Sequence, residues 1–248
     1  MSRQSFPRVH GLIALIEDPS NPCAYFQNFD DSIRAEPSKA KVWLAREQEL
    51  QRLDLESWHS LKNEAQPYLT SRNHSRGWEQ LISILNQARA YNYLLDMGCQ
   101  PIRFIPRAIS QGARTPDLTG LLNGRNVFCE VKTINISDVE ARRRNSGGVW
   151  SSSDALGPGF FNKLKSDLLQ AKLQLDAHGN SDECRHIAFV VPNFDDFLAE
   201  YKANYFLQID EYLGRETVQG LEIVFYNQRT VFHPQIAMKN ASVVNELG

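Results

Sequence analysis

Asp117, Glu130 and Lys132 are the residues of this chain whose types and spacing could do chemistry together. They lie on two strand-like runs, Thr115 to Leu122 and Arg125 to Thr133, separated by Asn123-Gly124. Asn-Gly between two such runs is a strong local signal for a two-residue hairpin turn. A turn there sets Leu122 opposite Arg125, and every further pair keeps the same sum of residue numbers. Asp117 and Glu130 share that sum. Their carboxylates would face each other with Cβ atoms about 5 Å apart. Strand alternation puts Lys132 on the face of Glu130, two residues on.

Like charges directly opposite on a sheet repel. The arrangement makes sense with a cation between them, and a hard divalent ion with oxygen ligands such as magnesium is the natural candidate, with manganese as substitute. Lys132 would add a positive charge beside it, suited to orienting a water and stabilising a phosphoryl group in flight. The bland alternative is a half-exposed hairpin with solvated carboxylates, and a bulge would separate the pair.

The elements that must position these residues can be read from periodicity and punctuation. Residues 1–35 are rich in Pro, Asn and Asp and read as loops with one short element around Leu12 to Ile16. Ser38 reads as the N-cap of a long polar helix over 39–66, with Val42, Leu50, Leu53 and Leu61 among its apolar positions. Residues 67–76 form a polar break and a candidate boundary. A second helix over 77–97 carries Trp78, Leu81, Ile82, Leu85, Ala88 and Leu95, and Gly98 stops it. Ile102 to Ile105 reads as a strand, and the hairpin over 116–133 follows.

The stretch 135–159 contains Arg142-Arg143-Arg144, Gly147-Gly148, Trp150 and Gly157-Pro158-Gly159. The three arginines could clamp phosphates and Trp150 could stack on an unpaired base; the competing reading is a solvated loop. A third helix over 160–178 has Phe161, Leu164, Leu168, Ala171 and Leu175 as its core stripe, with Lys163, Gln170 and Gln174 near one polar face. His186 to Val191 reads as a buried strand. A helix near 194–213 and strands near 221–226 and 229–233 finish the chain.

Pro116-Asp117, twelve intervening residues, and then Glu130-Val131-Lys132 resemble the PD-(D/E)xK nuclease superfamily, the restriction-endonuclease-like fold. The resemblance implies an α/β fold with a mixed sheet and an α-β-β-β-α-β core over 76–192. Residues 1–75 would be an N-terminal extension of loops and a long helix, and 193–248 C-terminal additions. It implies that Asp117 and Glu130 bind magnesium, that the Val131 carbonyl adds a ligand, and that Lys132 assists the attacking water. It also implies an acidic metal ligand from the preceding helix, matched by Glu79, and a Gln or Lys from the following helix. Gln170 is the first choice there and Lys163 the second. Glu79 also has a simpler explanation, since an acidic side chain in a helix's first turn complements the macrodipole.

Composition bounds the rest. At 42% hydrophobic and 23% charged residues over 248 positions, the chain reads as an ordinary globular protein able to bury a substantial core. A net charge of −2 carries no global nucleic-acid signature, so any DNA-binding surface must be local. The four cysteines (Cys23, Cys99, Cys129 and Cys184) have no zinc spacing and read as reduced thiols of a cytoplasmic protein. No stretch is apolar enough for a membrane helix, and no signal peptide is legible. The histidines form no H-E-x-x-H pattern, and there is no Gly-x-Ser-x-Gly elbow or Walker loop.

The leading expectation is a magnesium-dependent phosphodiesterase acting on DNA. A nuclease acting on RNA or on branched or single-stranded DNA would share its metal chemistry. A catalytically inactive nucleic-acid-binding or protein-interaction module is the alternative from another class. A homodimer is an open option, with the 39–66 helix as one candidate surface.

Overall fold

Short polar side chains and prolines cut the N-terminal half into helices. The computed structural model describes residues 5–18, 20–73, 77–106, 115–135, 155–192, 202–216, 218–227 and 230–234. Within residues 1–35, expected to be mostly loops, lie α1 (Pro7–Ile13) and α2 (Phe29–Ala35). Neither shows a side-chain cap, so local sequence signals for them are weak. Tertiary contacts supply what is missing. Glu47 is buried and accepts the Arg8 and Val9 amides at 2.9 Å each, which satisfies orphan donors at the start of α1. Phe29 packs edge-on against Phe6, Phe26 and Trp43.

The single helix expected over 39–66 is two helices, α3 (Pro37–Gln51) and α4 (Leu55–Ala65). Pro37, rather than Ser38, opens α3, at the first-turn position where a missing N–H costs nothing. Asp54 makes the break: it is extended, and its carboxylate accepts the Ser57 amide at 2.7 Å, capping α4. A short polar side chain that offers the backbone a new N-terminus competes with helix continuation. After a 3₁₀ turn at Gln66–Tyr68 comes α5 (Glu79–Asp96).

A polar network ties α5 to α3. Arg46 donates to the Leu85 carbonyl and to Asn86, Arg89 reaches Glu49, and Asn92 donates to the Glu49 carbonyl. The chain divides into two compact units, Met1–Asp96 and Met97–Gly248, and α5 belongs to the first.

The second unit is built on a six-stranded mixed sheet in the order β1 (Arg103–Phe104), β2 (Leu118–Leu122), β3 (Arg125–Ile134), β4 (Arg185–Pro192), β5 (Glu222–Asn227) and β6 (Thr230–Phe232). β1, β2 and β3 are antiparallel neighbours, β3, β4 and β5 are parallel, and β6 runs antiparallel to β5. The antiparallel β2–β3 pair closes through a two-residue turn, with Asn123 at φ 52° and Gly124 at φ 79°. Both central residues need positive φ in such a turn, which is why Asn-Gly occupies it.

The parallel β3–β4 pair needs a crossover, and α6 (Pro158–Asp176) lies within it. α7 (Lys202–Arg215) follows β4. Leu164, Leu168, Ala171 and Leu175 of α6 pack with Ile209 and Leu213 of α7 against Ile134, Ala188, Val190, Ile223 and Phe225 of the sheet. Period-two alternation places Glu130 and Lys132 on the same face of β3 as Ile134, the face that α6 covers.

The protein is therefore mixed α/β, with seven α-helices among the described residues. No described helix is long and apolar enough to cross a membrane.

Candidate active site

The hairpin keeps the expected register. Leu122 pairs with Arg125 and Leu118 with Cys129, with no bulge between them. Regular pairing stops one residue short of Asp117, and its side chain continues where the backbone ladder ends. The Val131 amide donates to Asp117 Oδ2 at 2.7 Å, and the Ile105 amide donates to the Asp117 carbonyl at 2.9 Å. Asp117 is thus clasped between the strand bearing Lys132 and the residue after β1. Its carboxyl lies close enough to Glu130 to be one of the influences that lower the Glu130 pKa.

Glu130 is buried, at 4% exposure. Lys132 Nζ donates to Glu130 Oε1 at 2.9 Å and to Gln174 Oε1 at 2.9 Å, with a longer 3.4 Å contact to Gln170 Oε1. An ammonium carries three donors, and these acceptors match that number. Glu130 Oε2 has no hydrogen-bond partner among the described residues. Burial pushes the Glu130 carboxyl above the usual carboxylate range; the Lys132 ammonium is the largest influence pulling it back, helped by contacts with Gln174 and Asp117. Cys129, on the opposite face of β3, is fully buried; burial, followed by the charges of Asp117 and Glu130, pushes its thiol well up.

This donor set fits a hard divalent cation in kind. Two carboxylates influence each other here, and one offers a buried oxygen with no hydrogen-bond partner among the described residues. Among the described residues no three His, Cys, Asp or Glu side chains gather to hold a metal, so the acidic groups at this point are Asp117 and Glu130.

The other expected site residues fall differently. Val131 sits in β3 opposite Phe189, with its amide on Asp117. Glu79 opens α5, in the first unit, whereas Asp117, Glu130 and Lys132 belong to the second. Arg142, Arg143 and Arg144 lie outside the described residues. Lys163 is half exposed and directs its ammonium to Asp167 one turn on, not to the Lys132 cluster.

Gln170 reaches Lys132, but only at 3.4 Å; Gln174 makes the 2.9 Å contact. The two glutamines are four residues apart and share a helix face, so spacing alone does not rank them. The rotation and height of α6 over β3 do, and those are set by Leu164, Leu168, Ala171 and Leu175. The second partner of Gln174 is the Thr115 carbonyl, which its Nε2 reaches at 3.2 Å.

Comparison with protein-family models, curated proteins and solved structures returned no match for this chain.

Proposed function

We propose that the chain is a magnesium-dependent phosphodiesterase that hydrolyses DNA, built on a restriction-endonuclease-like core. The observation that carries the reading is the cluster itself. Asp117 and Glu130 converge at the end of a hairpin, Lys132 holds Glu130 Oε1, and the buried Glu130 Oε2 is left without a described partner. A buried carboxylate oxygen with no partner is costly, and coordination of a cation is one of the few ways to offset that cost. Within the second unit the order β1, β2, β3, α6, β4, with β4 parallel to β3, supports the β-β-β-α-β part of that assignment.

In this reading Asp117 and Glu130 hold Mg²⁺, with Mn²⁺ able to replace it, and the Val131 carbonyl is a further candidate ligand. The ion would supply charge stabilisation at phosphorus and a more acidic bound water. The chain's own contribution is positional. The Val131 amide fixes one Asp117 oxygen, and Lys132 fixes one Glu130 oxygen and keeps a positive charge beside the site. Gln174 in turn fixes the ammonium. DNA would bring its phosphate to this charge, and RNA could be cleaved by the same groups. Arg142, Arg143, Arg144 and Lys163 remain candidates for backbone contacts.

The test is calorimetric titration of Mn²⁺ into wild type and Asp117→Ala, followed by cleavage of duplex DNA, single-stranded DNA and RNA by both proteins. Metal binding and DNA cleavage that both vanish in the variant are the expected result. A folded wild type that binds no Mn²⁺ would sink the hydrolase reading in favour of a non-catalytic binding module.

A further inference from the structure

Gln174 touches both parts of the site. Its Oε1 accepts from Lys132 Nζ at 2.9 Å, and its Nε2 donates to the Thr115 carbonyl at 3.2 Å. The partners dictate which end of the amide is which, because an ammonium only donates and a carbonyl only accepts. Thr115 stands two residues before Asp117, with the buried Pro116 between them. Proline fixes its own φ and confines the residue before it to extended conformations. A hold on the Thr115 carbonyl is therefore passed to Asp117 through a stiff dipeptide.

Asp117 is already gripped from two sides. The Ile105 amide takes its carbonyl and the Val131 amide takes its carboxylate. Both grips come from the sheet. Gln174 adds a grip from α6, the element that covers the Glu130 face. One side chain thus spans from the strand bearing Glu130 and Lys132 to the segment that delivers Asp117.

We propose that Gln174 is a positioning residue that sets the spacing between Asp117 and the Glu130–Lys132 pair before any metal binds. Its consequence for metal affinity rests on the hydrolase reading; the strap itself does not. Gln170, at 3.4 Å from Lys132, is secondary in this arrangement.

The test starts in the metal-free chain of residues 1–248, where hydrogen exchange at the Val131 amide reports on its bond to Asp117. Gln174→Met removes both hydrogen bonds at similar length. Gln174→Glu keeps an acceptor for Lys132 but has no donor for Thr115. Both variants should speed Val131 exchange about tenfold, the size expected for losing one well-placed hydrogen bond. Exchange at Phe189 and Val190 on β4 should stay at wild-type rates, and Gln170→Met should leave Val131 unchanged. In Gln174→Met, which adds no charge, Mn²⁺ affinity by calorimetry should fall about 10–100-fold, as for other residues that orient a metal ligand.

Wild-type exchange at Val131 in Gln174→Glu would overturn the strap. So would equal acceleration across β4, which would make Gln174 an ordinary packing residue. A wild type that binds no Mn²⁺ would defeat the hydrolase reading, while the exchange rates still decide whether Gln174 positions Asp117.

Discussion

Lys132→Met removes one charge and keeps most of the side-chain volume, so its effect isolates the ion pair at the centre of the site. In the wild type, Lys132 Nζ lies 2.9 Å from Glu130 Oε1, with the side chains 12% and 5% exposed. Burial already pushes the Glu130 carboxyl up, and Lys132 is the largest influence pulling it down. Without Lys132 the carboxylate stays buried and loses its counter-charge. Breaking a buried pair from one side costs about 3–5 kcal/mol. The lysine end is partly wet, which points to the lower figure, about 3 kcal/mol near pH 8. For a chain of this size that lowers Tm by about 6–12 °C.

The pH dependence carries the sharper test. A carboxyl whose folded pKa lies above its unfolded value is protonated more readily in the native state. The favourable contribution is fully present below the unfolded pKa and is lost as pH rises through the folded one. Lys132→Met raises the folded value further. The deficit should therefore be small near pH 4 and reach its full size near pH 8. Urea unfolding of the metal-free proteins across that range measures it. Adding Glu130→Gln should recover more than half of the deficit, because the stranded charge is then gone. Equal deficits at the two ends of the range, or a deficit under about 1 kcal/mol near pH 8, would show that water reaches Glu130 and would refute the argument from burial.

Three further outcomes are expected. Asp54→Ala should cost about 1 kcal/mol through loss of the α4 cap, seen as a 2–4 °C drop in Tm; no change would mean α3 and α4 are separated by something other than that cap. Burial holds the His186 imidazole below its usual pKa, with Asp176 pulling it up and Lys172 adding to the lowering. The native state then takes up fewer protons than the unfolded chain, so stability should fall as pH drops from about 6.5 through the folded value, and His186→Leu should flatten that limb in urea titrations. Cys129 should resist iodoacetamide near pH 8 under conditions that label the half-buried Cys23, as read by mass spectrometry, until the protein unfolds globally.

What the amino-acid sequence determined alone was local. Asn123-Gly124 dictates a turn with two positive φ values, and from that turn the register follows residue by residue to Leu118 and Cys129. Period-two alternation then puts Lys132 beside Glu130, because a strand offers only two faces. The apolar stripe of α6 and the apolar run Ile187 to Val191 of β4 are legible for the same reason: their periods are short and their cores are continuous.

Other features depend on distant partners. α1 is held by Glu47 from α3, nearly forty residues away, so the uncapped segment reads as a loop. The break at Asp54 hides inside a charged stretch because a cap and a solvated acid look alike in one dimension. Gln174 outranks Gln170 only once the packing of α6 sets its rotation over β3. The burial of Glu130, on which the proposed chemistry depends, comes from that same packing: the sequence places a carboxylate on a face, and the helix laid across that face takes it out of water.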